Sequence, residues 1–180
     1  LNAALQLIQA GEEPGLRAVA RHAGVSPGAP YHHFANKHAL LAAVAKEGFT
    51  SLNQALDAQT HDTPEDRLRA VAGAYVSFAI SHAGHYRVMF EPQLTDVGDV
   101  GLESSATHAF QSLRTTIAAV SGASGSLQRA LNVWSLVHGT VMLHLDGMVA
   151  SLDPSADTTA IAEQVGLAAL ALAVAPSDPS

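Results

Sequence analysis

The stretch LRAVARHAGVSPGAPYHHFANKHALL, residues 16–41, constrains the fold more than any other part of the chain. Leu16, Val19, Ala20 and Ala23 share one face of a short helix. Gly24 ends it, because glycine enters the left-handed C-cap conformation without the penalty a Cβ would bring. Ser26 is the expected N-cap of the next element, and Pro27 fits a first helical position, where its missing N–H costs nothing. The segment reads as helix, tight glycine turn and second short helix, at about the spacing of helix-turn-helix units. Pro30 removes a hydrogen bond from the second helix. Its first turn is therefore expected to be tightened or irregular, with proper helix only around Ala29 to His33. Asn36 is the next N-cap. Lys37 opens a long helix to about Gln59, with Leu40, Leu41, Val44, Phe49 and Leu52 as its apolar stripe.

The rest of the chain also reads as helix. Leu1, Leu5 and Ile8 recur at spacings of four and three before Gly11. TPED, from Thr63, gives a cap, a proline and two acids in a first turn, opening a helix to about His82. A short apolar helix is expected over His85–Phe90, then a loop over 91–100. Further helices are expected at Val100–Val120, Ser126–Val149 and Ser155–Ala175, separated by SGASGS and Pro154. The fold class is all-α. Two segments are expected: a three-helix module over 1–45 and a helical body over 46–180. Leu1 stands where a complete chain would have Met, so the N-terminus is expected to be truncated.

No segment reads as transmembrane. The run Leu131–Val149 carries Asn132, His138, His144 and Asp146, and Leu167–Ala175 is about half a span. The chain has no cysteine, which excludes disulfides and thiolate metal sites and fits a reducing compartment. Net charge is −7, which taken alone argues against nucleic acid. Its distribution does not. Residues 1–50 hold Arg17, Arg21, Lys37 and Lys46 against Glu12, Glu13 and Glu47, whereas residues 51–180 hold five arginines against thirteen acids. A weakly basic N-terminal module sits on an acidic body.

On these residues the chain resembles the TetR family of bacterial transcription regulators. The resemblance is carried by Ala23-Gly24-Val25-Ser26, then Tyr31, the histidine-Phe34 pair, Lys37 and Leu40. A second match is WSLVHG, Trp134–Gly139, which looks like the Trp-x-x-x-His-Gly signature of the family's WHG branch; YVSFAISHAGHYRVMF fits that branch too. The resemblance implies a helix-turn-helix DNA-binding domain followed by a helical ligand-binding and dimerisation domain, in a cytoplasmic regulator. It implies that Pro27, Gly28, Ala29 and His32 face the major groove. Tyr31, His33 and Lys37 would touch the backbone, with Arg17 and Ser26 also assigned to DNA. The residue types agree: small side chains let the backbone approach bases, and a lysine at a helix start suits a phosphate. No Arg, Asn or Gln is placed for a bidentate base contact, so readout would lean on His32, thymine methyls and DNA shape.

The expected partners are double-stranded operator DNA, a second copy through helices 126–149 and 155–175, and a small hydrophobic effector; no cofactor and no membrane are expected. The effector cavity is expected between helices 64–82, 100–120 and 126–149. Tyr75, Phe78, Met89, Phe90, Phe110, Trp134, His138 and Met142 would wall it, with His138 and then Tyr75 as polar handles. The plainer reading of Trp134, His138 and Met142, with Leu131 and Leu145, is a core stripe. Two other function classes stay open. His82, His85, His108, His138 and His144 could compose a zinc or nickel site in a metal-responsive regulator. An all-helical enzyme is the third, but no phosphate loop or His-Glu-x-x-His motif is present, and Ser135 near His138 has no evident oriented acid.

Overall fold

The structure, a computed structural model, describes residues 1–94, 99–155 and 157–175. Every regular element among them is helical. The chain divides into two compact units, Leu1–Ser51 with His82–Ala106, and Leu52–Ser81 with Thr107–Ser180. Each unit is made of two separate stretches of the chain.

The first unit holds α1 (Asn2–Gln9), α2 (Leu16–His22), a 3-10 helix (Ala29–His32), the start of α3 (Lys37–Asp57), α5 (Ala83–Met89) and the start of α6 (Val100–Ser121). Two glycines stop the first two helices in the same way. Gly11 and Gly24 have φ of 74° and 68°. The Gly24 N–H donates to the Arg21 carbonyl at 3.3 Å and the Val25 N–H to the Ala20 carbonyl at 3.0 Å, the paired bonds of a Schellman motif. Gly11 and Glu12 repeat the pattern on Ile8 and Leu7. The two turns fold α1 against α2 and α2 against the 3-10 helix. Their shared core includes Leu5, Leu16, Val19, Ala20, Leu40 and Val44. The backbone of α5 comes close to α1: a Cβ on Gly84 would lie 3.1 Å from Gln9 Cγ.

The second unit holds the end of α3, α4 (Pro64–Ser81), the rest of α6, α7 (Ser126–Leu145), α8 (Met148–Leu152) and α9 (Thr158–Val174). The start of α4 is as the sequence implies, with the Asp66 N–H donating to Thr63 Oγ1 at 3.1 Å. Within this unit α4, α7 and α9 pack on one another. The packing is close because α9 presents small residues. A Cβ on Gly166 would lie 2.9 Å from the Arg69 carbonyl oxygen, and Val165, Ala169 and Ala173 are buried around it.

Several boundaries differ from expectation. The expected helix 126–149 ends at Leu145, because Gly147 takes a φ of 75° and restarts the chain as α8. The last helix starts at Thr158 rather than Ser155, where the Asp157 carboxylate accepts the Ala160 N–H at 2.9 Å. The short helix begins at Ala83 and ends at Met89. Part of the expected loop 91–100 is a 3-10 turn at Pro92–Leu94, and its residues 95–98 lie outside the described residues. The buried stripe of α7 is Ala130, Val133, Val137 and Val141, not the Trp134 stripe. Leu131 is exposed, while Trp134, His138, Met142 and Leu145 are half-buried at the edge.

Two glycine substitutions test the packing of the second unit. Glycine to alanine inside a helix gains up to about 1 kcal/mol in propensity, whereas overpacking costs about 1–3 kcal/mol. Gly139→Ala, whose Cβ would meet nothing within 4 Å, should therefore raise the melting temperature. Gly166→Ala, facing a backbone carbonyl that cannot swing away, should lower it. Equal shifts in thermal melts of the two variants would contradict the close approach of α4 and α9.

Candidate nucleic-acid interface

The turn after α2 does not continue as an α-helix. Ser26 is not a helix N-cap; its carbonyl accepts the Ala29 N–H at 3.0 Å, closing a turn over Pro27 and Gly28. The following element is the 3-10 helix Ala29–His32, with Gly28 preceding it and no side-chain cap. Pro30 explains this. It lacks the N–H that an α-helix would bond back to residue 26, so the chain takes tighter bonds. Tyr31 N–H donates to the Gly28 carbonyl at 3.1 Å and His33 N–H to Pro30 at 3.0 Å. Pro30 itself is buried, which anchors the turn on the core.

Burying Pro30 leaves its neighbours facing solvent. Ser26, Pro27, Gly28, His32 and His33 are exposed, Ala29 is half-buried, and Tyr31 retains 51% of its surface despite being aromatic. Arg17 is exposed on α2. Adjoining this surface in sequence, Asn36 caps α3, its side-chain oxygen accepting the Ala39 N–H at 2.9 Å. Lys37 is the first residue of α3 and is partly exposed. A short element with small residues at its start, a tyrosine and imidazoles exposed along it, and a lysine at the next helix start can offer donors to a nucleic-acid backbone while its own backbone nears the bases.

The sequence reading missed one partner. Lys37 Nζ donates to Glu13 Oε1 at 2.6 Å, and this ammonium holds the Glu13 carboxyl below the usual carboxylate range. The only sequence signal was that Glu13 is one of few acids in a module otherwise mildly basic.

The residues expected to wall an effector cavity fall in both units. In the second unit, Tyr75 and Phe78 are buried on α4. The Phe110 and Trp134 rings meet edge to face at 5.9 Å, and the Trp134 and His138 rings are also 5.9 Å apart. Tyr75 Oη is 3.5 Å from His138 Nδ1, at the outer limit of a hydrogen bond. Partial burial pushes the His138 pKa down, which favours the neutral ring. Met142 is half-buried one turn further along α7. Met89 and Phe90 belong to the first unit, where a Cβ on Gly48 would meet Met89 Sδ at 2.6 Å and the Phe90 ring packs on Phe49 and Tyr86. A groove of about 570 Å³ also opens in the second unit, between α4 and α9, lined by residues including His61, Arg69, Gly73, Ala162, Glu163 and Leu167. It contains none of the eight expected wall residues.

The histidines do not converge. The His82 and His85 rings are 6.1 Å apart, and His85 Nε2 lies 3.8 Å from Glu47. His108 instead pairs with Asp57 at 3.2 Å. Among the described residues there is no group of three or more His, Cys, Asp or Glu side chains that could hold a metal ion. No helix among them is long and apolar enough to cross a membrane.

A helix, a glycine turn and a short exposed element have the layout of a helix-turn-helix unit. Residues 1–44 match the family described as bacterial regulatory proteins, tetR family, and residues 68–168 match the tetracyclin repressor-like C-terminal domain. The chain belongs to the tetR family of bacterial regulatory proteins. The HTH-type transcriptional regulator BetI 2 of Chromohalobacter salexigens is 39% identical over 64 residues, which are 36% of this chain and 31% of that protein. The match thus spans about a third of that relative's length. Among solved structures, a protein of unknown function from Rhodococcus sp. RHA1 is 26% identical with a TM-score of 0.75, over 94% of this chain and 91% of the other. A regulatory protein in the tetR family from Rhodococcus RHA1 shares the fold at 24% identity and a TM-score of 0.72, over 98% and 95% of the two chains.

His138 and His85 give a pH prediction. Burial lowers both imidazole pKa values, although the Glu47 charge partly opposes it at His85. The unfolded chain then binds more protons than the folded one just below the ordinary imidazole pKa of about 6.5. The contribution of each group is fully present above that pH and is lost as pH falls through the folded value. Urea unfolding should show lower stability at pH 5 than at pH 7. His138→Gln should lose less over the same interval, and an identical loss in both proteins would contradict the burial of His138.

Proposed function

We propose that this regulator is a homodimeric repressor that binds an inverted-repeat operator and leaves it when a small hydrophobic ligand binds. The observation that carries the DNA side is the exposed Ser26–His33 surface standing on a buried Pro30 beside Lys37. In this reading Pro27, Gly28, Ala29 and His32 face bases. Arg17, Ser26, Tyr31, His33 and Lys37 hold the backbone. One element of four residues is too small to hold a site alone, so two copies are required, one helical turn or more apart, on the order of 34–36 Å. Operator DNA lies in the cytoplasm, which is the compartment proposed.

Dimerisation is supported by the apolar surface of the second unit. Leu127, Leu131 and Leu143 on α7 are 50%, 38% and 53% exposed, and Leu167 and Val174 on α9 are 51% and 56% exposed. Side chains of this size, repeated along two helices, are the kind of surface a partner covers. The effector side rests on the aromatic cluster of Tyr75, Phe110, Trp134 and His138, flanked by Phe78 and Met142. It offers apolar rings and one or two polar atoms, which suits a small, mostly apolar molecule. Both α3 and α6 run from one unit into the other, so they provide covalent routes for coupling. The ligand must favour the DNA-free state by roughly 1–3 kcal/mol, the ordinary range of allosteric coupling.

The DNA reading is tested by titrating DNA fragments selected from genomic sequence by the protein itself. Lys37→Ala and Tyr31→Phe should weaken binding to all sequences by similar factors, whereas His32→Ala should relax base preference. Unchanged affinity for Lys37→Ala at moderate salt would contradict the docking. The effector reading is tested by Trp134 fluorescence against a panel of hydrophobic small molecules, scored together with DNA release. Quenching without release, or release without quenching, would separate the aromatic cluster from regulation.

A further inference from the structure

Lys37 is placed against the electrostatics of its own helix. It is the first residue of α3, where unpaired backbone N–H groups already present positive charge. The first turn of α3 carries no acid. By contrast α4 opens with Glu65 and Asp66, and α6 has Glu103 in its first turn. The compensating charge at α3 comes instead from Glu13, between α1 and α2, whose carboxylate accepts from Lys37 Nζ at 2.6 Å. Both side chains are largely open to solvent, with exposures of 41% for Lys37 and 79% for Glu13. The pair therefore sits where an approaching phosphate can reach it. A lysine at this position gives little to helix stability, and its partner lies 24 residues earlier in the chain.

We infer that Glu13 restrains DNA affinity by pairing with Lys37, so that a backbone phosphate must displace the Glu13 carboxylate before it takes the ammonium. This rests on the proposed contact of Lys37 with DNA. The carboxylate and the phosphate compete for the same donor, and both are anions. In the free protein Lys37 thus behaves as half of a neutral pair, and added salt weakens that pair as well as the phosphate contact. Exposed ion pairs are weak, so the restraint is modest and easily broken. Such a contact trims affinity for every sequence equally and leaves base preference to the Gly28–His32 surface.

The test uses the full chain and a labelled duplex selected from random-sequence DNA by the wild-type protein. Glu13→Gln should tighten binding by about two- to five-fold for each subunit, the range an exposed pair allows. The slope of log affinity against log salt should steepen by less than about 0.9 for each subunit, because the same phosphate is neutralised in both proteins and only the wild type has a competing ion pair that salt weakens. Glu12→Gln, which removes the same charge from the neighbouring exposed residue, should do less. In a Lys37→Ala background, Glu13→Gln should lose its effect. If Glu13→Gln matches Glu12→Gln, weakens binding, or keeps its gain without Lys37, the inference fails while the docking stands, provided that Lys37→Ala alone weakens binding. If Lys37→Ala alone changes nothing, the docking and the inference fail together.

Discussion

The left-handed turn at Gly24 is the constraint on which the proposed DNA-binding surface depends. Its φ of 68° lets the chain reverse within two residues of α2, and the Val25 and Gly24 N–H groups satisfy the carbonyls of Ala20 and Arg21. A residue with a Cβ would be strained there, although no neighbouring atom stands in its way. The obstacle is backbone energy, not space. Because the reversal is tight, the 3-10 helix returns against α2 and buries Pro30, and that burial presents Tyr31, His32 and His33 to solvent. A longer or looser turn would leave those side chains with no fixed direction.

The second unit is built on a different economy. Gly166 lets α9 approach the α4 backbone at Arg69, with Ala169 and Ala173 buried on the same helix. Meanwhile α7 buries its valine face and leaves leucines outside. A helix that is apolar on more than one side can serve an internal core with one face and an external partner with the other. The half-buried Trp134 and His138 lie at the boundary of the buried stripe, where a polar ring atom and an aromatic surface can both remain partly accessible.

Much of this was legible in the sequence because it rests on local chemistry. Gly24, Asn36 and the Thr63–Asp66 opening of α4 each mark a helix end by backbone or capping requirements that a few residues decide. Other features were not legible because they depend on tertiary packing. Periodicity placed Trp134, His138 and Met142 on one stripe of α7, but it could not say that the Val133 and Val137 stripe wins the core. Gly147 reads as tolerated inside a helical pattern until the Asp146–Gly147 turn is seen. Likewise, residue type alone does not tell that Met89 lies beside Gly48 and that Phe90 packs on Phe49. Ser26 and Pro27 carried the signature of a helix start, but Pro30 four residues later displaced it.

The central claim is that the Ala29–His32 turn, presented by the Gly24 reversal, is the part of the chain that meets DNA. The chain has no cysteine, so a single thiol can be introduced without competition. Val25 is 48% exposed in the reversal and lies outside the proposed contact set, so Val25→Cys can carry a DNA-cleaving metal chelate. On a fragment that the protein selects, cleavage should fall in two clusters, symmetric about one centre and separated by one helical turn or a multiple of it, about 10–10.5 base pairs each. Even cleavage along the fragment, or none, would contradict the claim, whereas a single cluster would contradict only the pairing of two copies.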